Sequence, residues 1–157
     1  MYIRKLQKED VSPDSDFVRI LSQLSSSDNK TCDYSVLWDQ YAGQTNSLPV
    51  YVHVIVAVDN DVVIGTGSII IERKFLRGGG IVGHIEDVVV DEDIRATGAG
   101  RMIVGELVEI AKSSSCYKVI LNCDHNNVAF YGKCGFRWSE NEMRIDYSSK
   151  IWETKDE

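Results

Sequence analysis

Two short segments of this chain carry residues arranged for chemistry. The first is Arg95-Ala96-Thr97-Gly98-Ala99-Gly100, which follows an apolar stretch and an acidic turn and opens an amphipathic run. Glycines there let the backbone turn tightly and bring several N–H groups to one point. A helix starting at that point adds partial positive charge, and Arg95 and Arg101 add full charges, so the segment is a candidate cradle for a phosphate-bearing cofactor. The alternative is a glycine-softened strand-to-helix turn with no ligand. No Gly-Lys-Ser/Thr follows, which excludes a nucleoside-triphosphate loop, and the third glycine of a dinucleotide fingerprint is missing. The second segment runs from Asn126 to Phe136 and holds Asn127, Phe130, Tyr131 and Lys133. A tyrosine there can donate a proton to a leaving group. Its neighbour Phe130, about 100° away around a helix, reads as a core aromatic.

These segments need elements to hold them. Tyr2 to Leu6 alternates as an opening strand. Ser12-Pro13-Asp14 has the chemistry of a helix start, and Phe17, Ile20, Leu21 and Leu24 then fall on one face, with the polar run Ser25 to Asn29 as a stop. A second helix is expected over Tyr34 to Ala42, with Tyr34, Leu37, Trp38 and Tyr41 on one side. Val50 to Val58 reads as a central strand, Asp59-Asn60-Asp61 as a tight turn, and Val62 to Arg73 as the returning strand. Gly78-Gly79-Gly80 leads to a strand over Ile81 to Val90. The helix from Ala99 to Ser113 carries Ala99, Ile103, Leu107, Ile110 and Ala111 on one stripe. Tyr117 to Cys123 is the next strand, Asn126 to Lys133 a short helix stopped by Gly135, and Phe136 to Trp138 and Glu142 to Tyr147 closing strands before a frayed tail from Ser148. The order predicts an α/β fold, a mixed sheet with helices packed on it.

The chain has 157 residues, 43% of them hydrophobic and 26% charged, so a single domain over 1–157 with a core of its own is expected. A net charge of −7 argues against nucleic acid or an anionic membrane as partner. Cys32, Cys116, Cys123 and Cys134 have no metal-finger spacing and are too few for a disulfide scaffold, so reduced thiols and no metal are expected. The N-terminus lacks an apolar signal region, and the run Val50 to Val58 is too short to span a bilayer. A cytoplasmic location is expected, with an organellar address read by a receptor as the alternative.

Taken together, the Arg-x-x-Gly-x-Gly loop and the Asn-x-x-Phe-Tyr-x-Lys-x-Gly-Phe segment about thirty residues on resemble the GNAT N-acetyltransferase superfamily. Gly83-His84-Ile85-Glu86-Asp87-Val88-Val89-Val90, Cys116-Tyr117-Lys118-Val119-Ile120-Leu121-Asn122-Cys123, Glu72 to Phe75 and Leu21 to Leu24 resemble its glucosamine 6-phosphate N-acetyltransferase branch, over roughly Ile3 to Met143. The resemblance implies a mostly antiparallel twisted sheet with a splayed parallel strand pair and about four flanking helices. It implies acetyl transfer from acetyl-CoA to the amine of glucosamine 6-phosphate, on the route to UDP-N-acetylglucosamine, by direct attack and without a metal. Acetyl-CoA would be held by Val88, Val89, Val90, Arg95, Ala96, Thr97, Gly98, Ala99, Gly100, Arg101, Asn127, Phe130, Tyr131 and Lys133. The backbone N–H near Val88 would take the thioester oxygen, and Tyr131 would stabilise or protonate the departing thiolate. Ser25, Glu86, Asp87, Lys118, Asn122 and Arg144 would contact the sugar phosphate, and a homodimer is implied.

Asn122 departs from the family pattern, which has an acidic residue at that step. An amide is no general base. The amine arrives deprotonated, Glu86 acts through water, or Asp124 shifts into the role. The working expectation is that Asn122 orients the sugar while water or a backbone carbonyl takes the proton. Lys118, Ile120 and Asn122 share one face of a strand by period two. Asp146 stands where a basic residue is usual, so Arg144 on the same strand face is the substitute, a solvated charge being the alternative, with Lys74 a weaker candidate. His53 reads as a satisfied structural histidine, His84 as a loop hydrogen-bonder, His125 as exposed, and Cys123 and Cys134 as packing residues. Trp38 and Trp138 read as core or interface aromatics, and Trp152 as a tail residue. Two other functions remain open: acetylation of a protein, peptide or polyamine, which the acidic charge would suit, and a non-catalytic coenzyme A-binding domain.

Overall fold

β-Branched runs and glycine turns build most of the sheet. The computed structural model describes residues 1–24, 34–44 and 48–145. They fall into two units, Met1–Cys123 and the segment beginning at Asp124. In the first unit, β1 (Tyr2–Lys5), β2 (Val50–Asp59), β3 (Val62–Arg73), β4 (Ile81–Val90) and β5 (Cys116–Ile120) form one five-stranded sheet in the order β1-β2-β3-β4-β5. Every neighbouring pair is antiparallel except β4 and β5, which are parallel. The β2–β3 hairpin turns at Asn60 and Asp61, whose φ values of 48° and 65° suit the two-residue turns favoured by short polar side chains.

The helices α1 (Asp16–Leu21), α2 (Tyr34–Ala42) and α4 (Ala99–Ser113) accompany the sheet, and α3 (Leu76–Gly79) is a single turn with Arg77 and Gly78 in left-handed backbone. One core sets Phe17 and Ile20 of α1 against Val56, Val58, Val63 and Val89. A second lies under α4, where Ile103, Val104, Leu107 and Ala111 are fully buried. Gly67 lets α4 come close, since a Cβ there would stand 2.7 Å from Ile103 Cγ2. Buried Thr66 keeps its hydroxyl satisfied by donating to the Ile55 carbonyl at 2.8 Å.

Several local expectations are corrected. The first helix starts at Asp16, not Pro13, because the Ser15 hydroxyl rather than that of Ser12 accepts the Val18 N–H. A 3-10 turn over Lys8–Val11 precedes it, closed by Asp10 accepting from the Gln7 N–H at 2.8 Å. The helix ends at Leu21, so Leu24 leaves the buried face and is 45% exposed. Leu37 of α2 is likewise exposed, while Tyr34 and Trp38 pack against the core. β5 stops at Ile120, so Asn122 lies beyond the strand and shares no strand face with Lys118. Among the described residues, 136–145 form no strand; Trp138, Met143 and Ile145 there are 67%, 93% and 76% exposed. Asp146, Tyr147 and the tail from Ser148, with Trp152, lie outside the described residues, as do Ser25 to Asn29 and Cys32.

Candidate active site

The centre of the first unit's candidate site is the C-terminal half of β4. β4 pairs with β5 only from Ile81 opposite Cys116 to His84 opposite Ile120. It then runs on to Val90 with β3 on one side and, among the described residues, no strand on the other. A strand edge left unpaired in this way offers backbone donors and acceptors to an extended ligand. Within this half the strand is bulged. Thr66 lies opposite Val89 and Ser68 opposite Glu86, so Asp87 and Val88 together oppose Gly67. Asp87 takes a φ of 52° to fit the extra residue. The insertion reverses the alternation: Gly83 faces Ala111 of α4, yet Val88 and Val90 also point to that helix, beside Ile103. Glu86 and Asp87 are thereby left adjacent and exposed at the bend, and the Ser68 hydroxyl donates to the Glu86 carbonyl at 3.2 Å.

β4 leads to the glycine loop through an anchored turn. Asp91 is only 7% exposed and accepts from the Arg19 guanidinium at 2.6 Å, the Gln23 amide at 3.4 Å and the Asp93 N–H at 3.3 Å. Gln23 also accepts from the Glu92 N–H at 3.1 Å. The Arg19 contact, with the smaller hydrogen bonds beside it, holds the Asp91 carboxyl below its usual range against the opposing effect of burial. Arg19 and Gln23 were not singled out from sequence. Their only signal was polar character at i, i+4 spacing, Arg19 within α1 and Gln23 just past its end. Beyond the turn, Arg95, Ala96, Thr97 and Gly98 are exposed, with Ala96 at φ 69° and Gly98 at φ 93°. Gly98 is the N-cap of α4, and among the described residues no side chain caps the helix. Its first N–H groups have no intrahelical partner by the geometry of any helix start, so the loop fits the anionic part of a cofactor.

The unit beginning at Asp124 holds the second segment. The Asp124 carboxylate accepts from the Asn126 N–H at 2.8 Å and caps a 3-10 turn over His125–Asn127, which leads into α5 (Val128–Lys133). Asn127 is the N-cap of α5 and is exposed, as is Lys133. Phe130 and Tyr131 do not diverge fully. Their rings meet edge to face with centroids 5.0 Å apart, and the Phe136 ring also meets Tyr131 edge to face, at 6.1 Å. The Phe136 N–H bonds to the Tyr131 carbonyl at 3.1 Å, closing the helix end.

The remaining candidates divide clearly. Lys118 on β5 and Asn122 after it are exposed. Arg144 is exposed but sits on no strand, so the strand-face argument for it falls. Ser25 lies outside the described residues. Lys74 is paired with Glu72, whose carboxylate also meets His84 Nε2 at 3.1 Å, so its charge is already compensated. His84 is thus a strand residue bonded to a neighbouring strand, not a loop residue. His53 packs edge to face on Tyr51 at 5.4 Å, but among the described residues nothing hydrogen-bonds its ring, so it is not a satisfied structural histidine. Cys116, Cys123 and Cys134 are free of disulfides. Among the described residues no helix is long and apolar enough to cross a membrane.

With this geometry in place, the chain's class follows from comparison: residues 15–136 match the Acetyltransferase (GNAT) family, and the chain belongs to it. It is therefore an acetyl-CoA-dependent transferase by class, with the mixed sheet of that fold. Among its relatives, the "probable glucosamine 6-phosphate N-acetyltransferase 2" of Oryza sativa is 43% identical over 135 residues, 85% of this chain and 80% of the relative. The glucosamine 6-phosphate N-acetyltransferase of Arabidopsis thaliana is 39% identical over 138 residues, 85% of this chain and 87% of the relative. The crystal structure of an Arabidopsis thaliana enzyme of that name superposes with a TM-score of 0.81 at 34% identity, covering 94% of this chain and 98% of the other.

Proposed function

We propose that this protein is a glucosamine 6-phosphate N-acetyltransferase, transferring acetyl from acetyl-CoA to the sugar amine and releasing N-acetylglucosamine 6-phosphate for UDP-N-acetylglucosamine formation. The observation that carries the reading is the 43% identity over 85% of the chain with a relative of that name. That one family match runs across both units supports treating the chain as one acetyltransferase domain.

The residues suit the chemistry. Acetyl-CoA supplies an acyl group already activated as a thioester. The unpaired edge of β4 from Ile85 to Val90 offers backbone groups to the extended arm of the cosubstrate, and the N–H at Val88 would polarise the thioester oxygen. Arg95 to Gly100, with Arg101, would take the diphosphate at the uncapped start of α4. Asn127, Phe130 and Lys133 would hold the cosubstrate from the second segment, and Tyr131 would protonate the leaving sulfur. Glu86 and Asp87 would bind sugar hydroxyls or the amine, and Lys118 would neutralise the sugar phosphate. Ser25, Asn122 and Arg144 remain proposed contacts of the same substrate. A homodimer and a cytoplasmic location belong to this reading.

The net charge of −7 favours a second reading, in which the acceptor is a cationic polyamine or peptide. Coenzyme A release measured with glucosamine 6-phosphate, glucosamine, spermidine and a lysine peptide separates the two. Turnover is expected with the phosphorylated sugar at least tenfold above the others. Reaction only with unphosphorylated amines overturns the first reading.

A further inference from the structure

The sheet outruns the helix that covers it. β2 and β3 have ten and twelve residues, α4 has fifteen. At about 3.3 Å per strand residue and 1.5 Å per helical residue, the strands extend to roughly 33–40 Å and the helix to roughly 22 Å. α4 passes Gly67 with Ile103 and Leu107 and reaches Gly83 with Ala111. The far end of the same sheet face, away from the glycine loop, is left open. Register places the side chains there. Tyr51 opposes Ile71, His53 opposes Ile69, Lys5 opposes Ile55 and Arg73 opposes Ile81, and Ile69 lies beneath α4.

The opening is a cleft of about 730 Å³, and Lys5, His53 and Arg73 line it. Ser113, Ser114 and Ser115, where α4 ends, also line it. In a chain with 24 acidic residues, no aspartate or glutamate lines this cleft among the described residues. Nor does any carboxylate among them pair with Lys5 or Arg73; among the same residues the Arg73 guanidinium donates only to the Gly79 carbonyl, at 2.9 Å. Burial first, and then the Lys5 ammonium, hold His53 below its usual range, which favours the neutral ring, able to donate one hydrogen bond beside the two cations. The C-terminal dipole of α4 opposes an anion, but it amounts to about half a charge, against two full cations. Its last carbonyls are also tied back, Ile110 by the Ser114 N–H and Lys112 by the Ser115 N–H, each at 2.9 Å. Tyr51 and Ile110 give the cleft an apolar side, and its volume lies in the range of small-ligand sites.

We propose that this cleft is a second anion site, binding a small organic phosphate with the phosphate between Lys5, His53 and Arg73 and the body of the molecule against Tyr51. It lies at the opposite end of α4 from the Arg95–Gly100 loop and uses none of the residues assigned to acetyl transfer. Two cations and an imidazole lining one cleft suit a ligand of two or more negative charges.

The test follows the His53 ring signals by NMR while inorganic pyrophosphate is added at constant ionic strength, with sodium chloride as the control. The His53 signals are expected to shift saturably with pyrophosphate and to stay in place with chloride. The K5Q/R73Q double variant should weaken the midpoint at least tenfold, the charge-conserving K5R should keep the parent's midpoint, and the KM for acetyl-CoA should not change in any of them. No shift at His53, an equal shift with chloride, or unchanged binding in the double variant overturns the proposal.

Discussion

Asn122 is where this chain and its family pattern part, and the structure sharpens the consequence. The residue stands two positions past the end of β5, exposed, with a side chain that accepts and donates hydrogen bonds but takes up no proton near neutral pH. Its proposed role is therefore to orient the sugar. N122D is expected to change the KM for glucosamine 6-phosphate while leaving the limbs of the kcat–pH profile in place. A new ionisation in kcat would show instead that this position handles the proton. Tyr131 is different in kind: its ring makes edge-to-face contacts with both Phe130 and Phe136, which help to orient its hydroxyl. The exposed pair Glu86 and Asp87 owes its placement to one backbone event, the bulge at φ 52°.

The element proposed to hold the cosubstrate is the junction from β4 into α4. Asp91 is gripped by Arg19 and Gln23, so the first helix of the chain holds the turn from which the glycine loop departs. Gly98 then sits at φ 93° with open space where a Cβ would be. A side chain there meets no neighbour, so the cost of G98A is backbone strain alone, about 1–2 kcal/mol. Urea unfolding should read that loss, and the KM for acetyl-CoA should rise with it as the loop is pushed off its N–H-presenting conformation. An unchanged KM beside a full loss of stability would detach the loop from the cosubstrate. The two glycines were visible in the sequence; the clamp from α1 was not, because Arg19 and Asp91 are separated by 72 residues.

At the scale of the molecule, stability at low pH rests on carboxylates held ionised by the fold. Asp10, 8% exposed, faces Arg4 across contacts of 2.6 and 2.8 Å and accepts from the Gln7 N–H. Burial raises its pKa, but the Arg4 and Gln7 hydrogen bonds outweigh burial, and the carboxyl lies below its ordinary 3.8. A depressed folded-state pKa contributes stability above pH 3.8 that disappears as pH falls through the folded value. D10N should therefore be less stable than the parent at pH 7 by about 1–3 kcal/mol. The gap should close in acid denaturation once pH drops below 3.8. A gap constant down to the acid transition would assign the loss to packing instead of charge.

Strand and helix identities were legible because they are written in local periodicity: β3, β4, α2 and α4 have the bounds expected from their patterns. The Arg-x-x-Gly-x-Gly loop was legible for the same reason, since a helix start needs only neighbours in sequence. Where contacts span long separations, local pattern was silent. The cap of α1 fell on Ser15 and not Ser12, and β5 stopped short of Asn122. The bulge at Asp87, the Arg19–Asp91 clamp and the uncovered cationic end of the sheet all follow from which strands pair and how far a helix reaches across them. Those are properties of packing in three dimensions, and no window of neighbouring residues contains them.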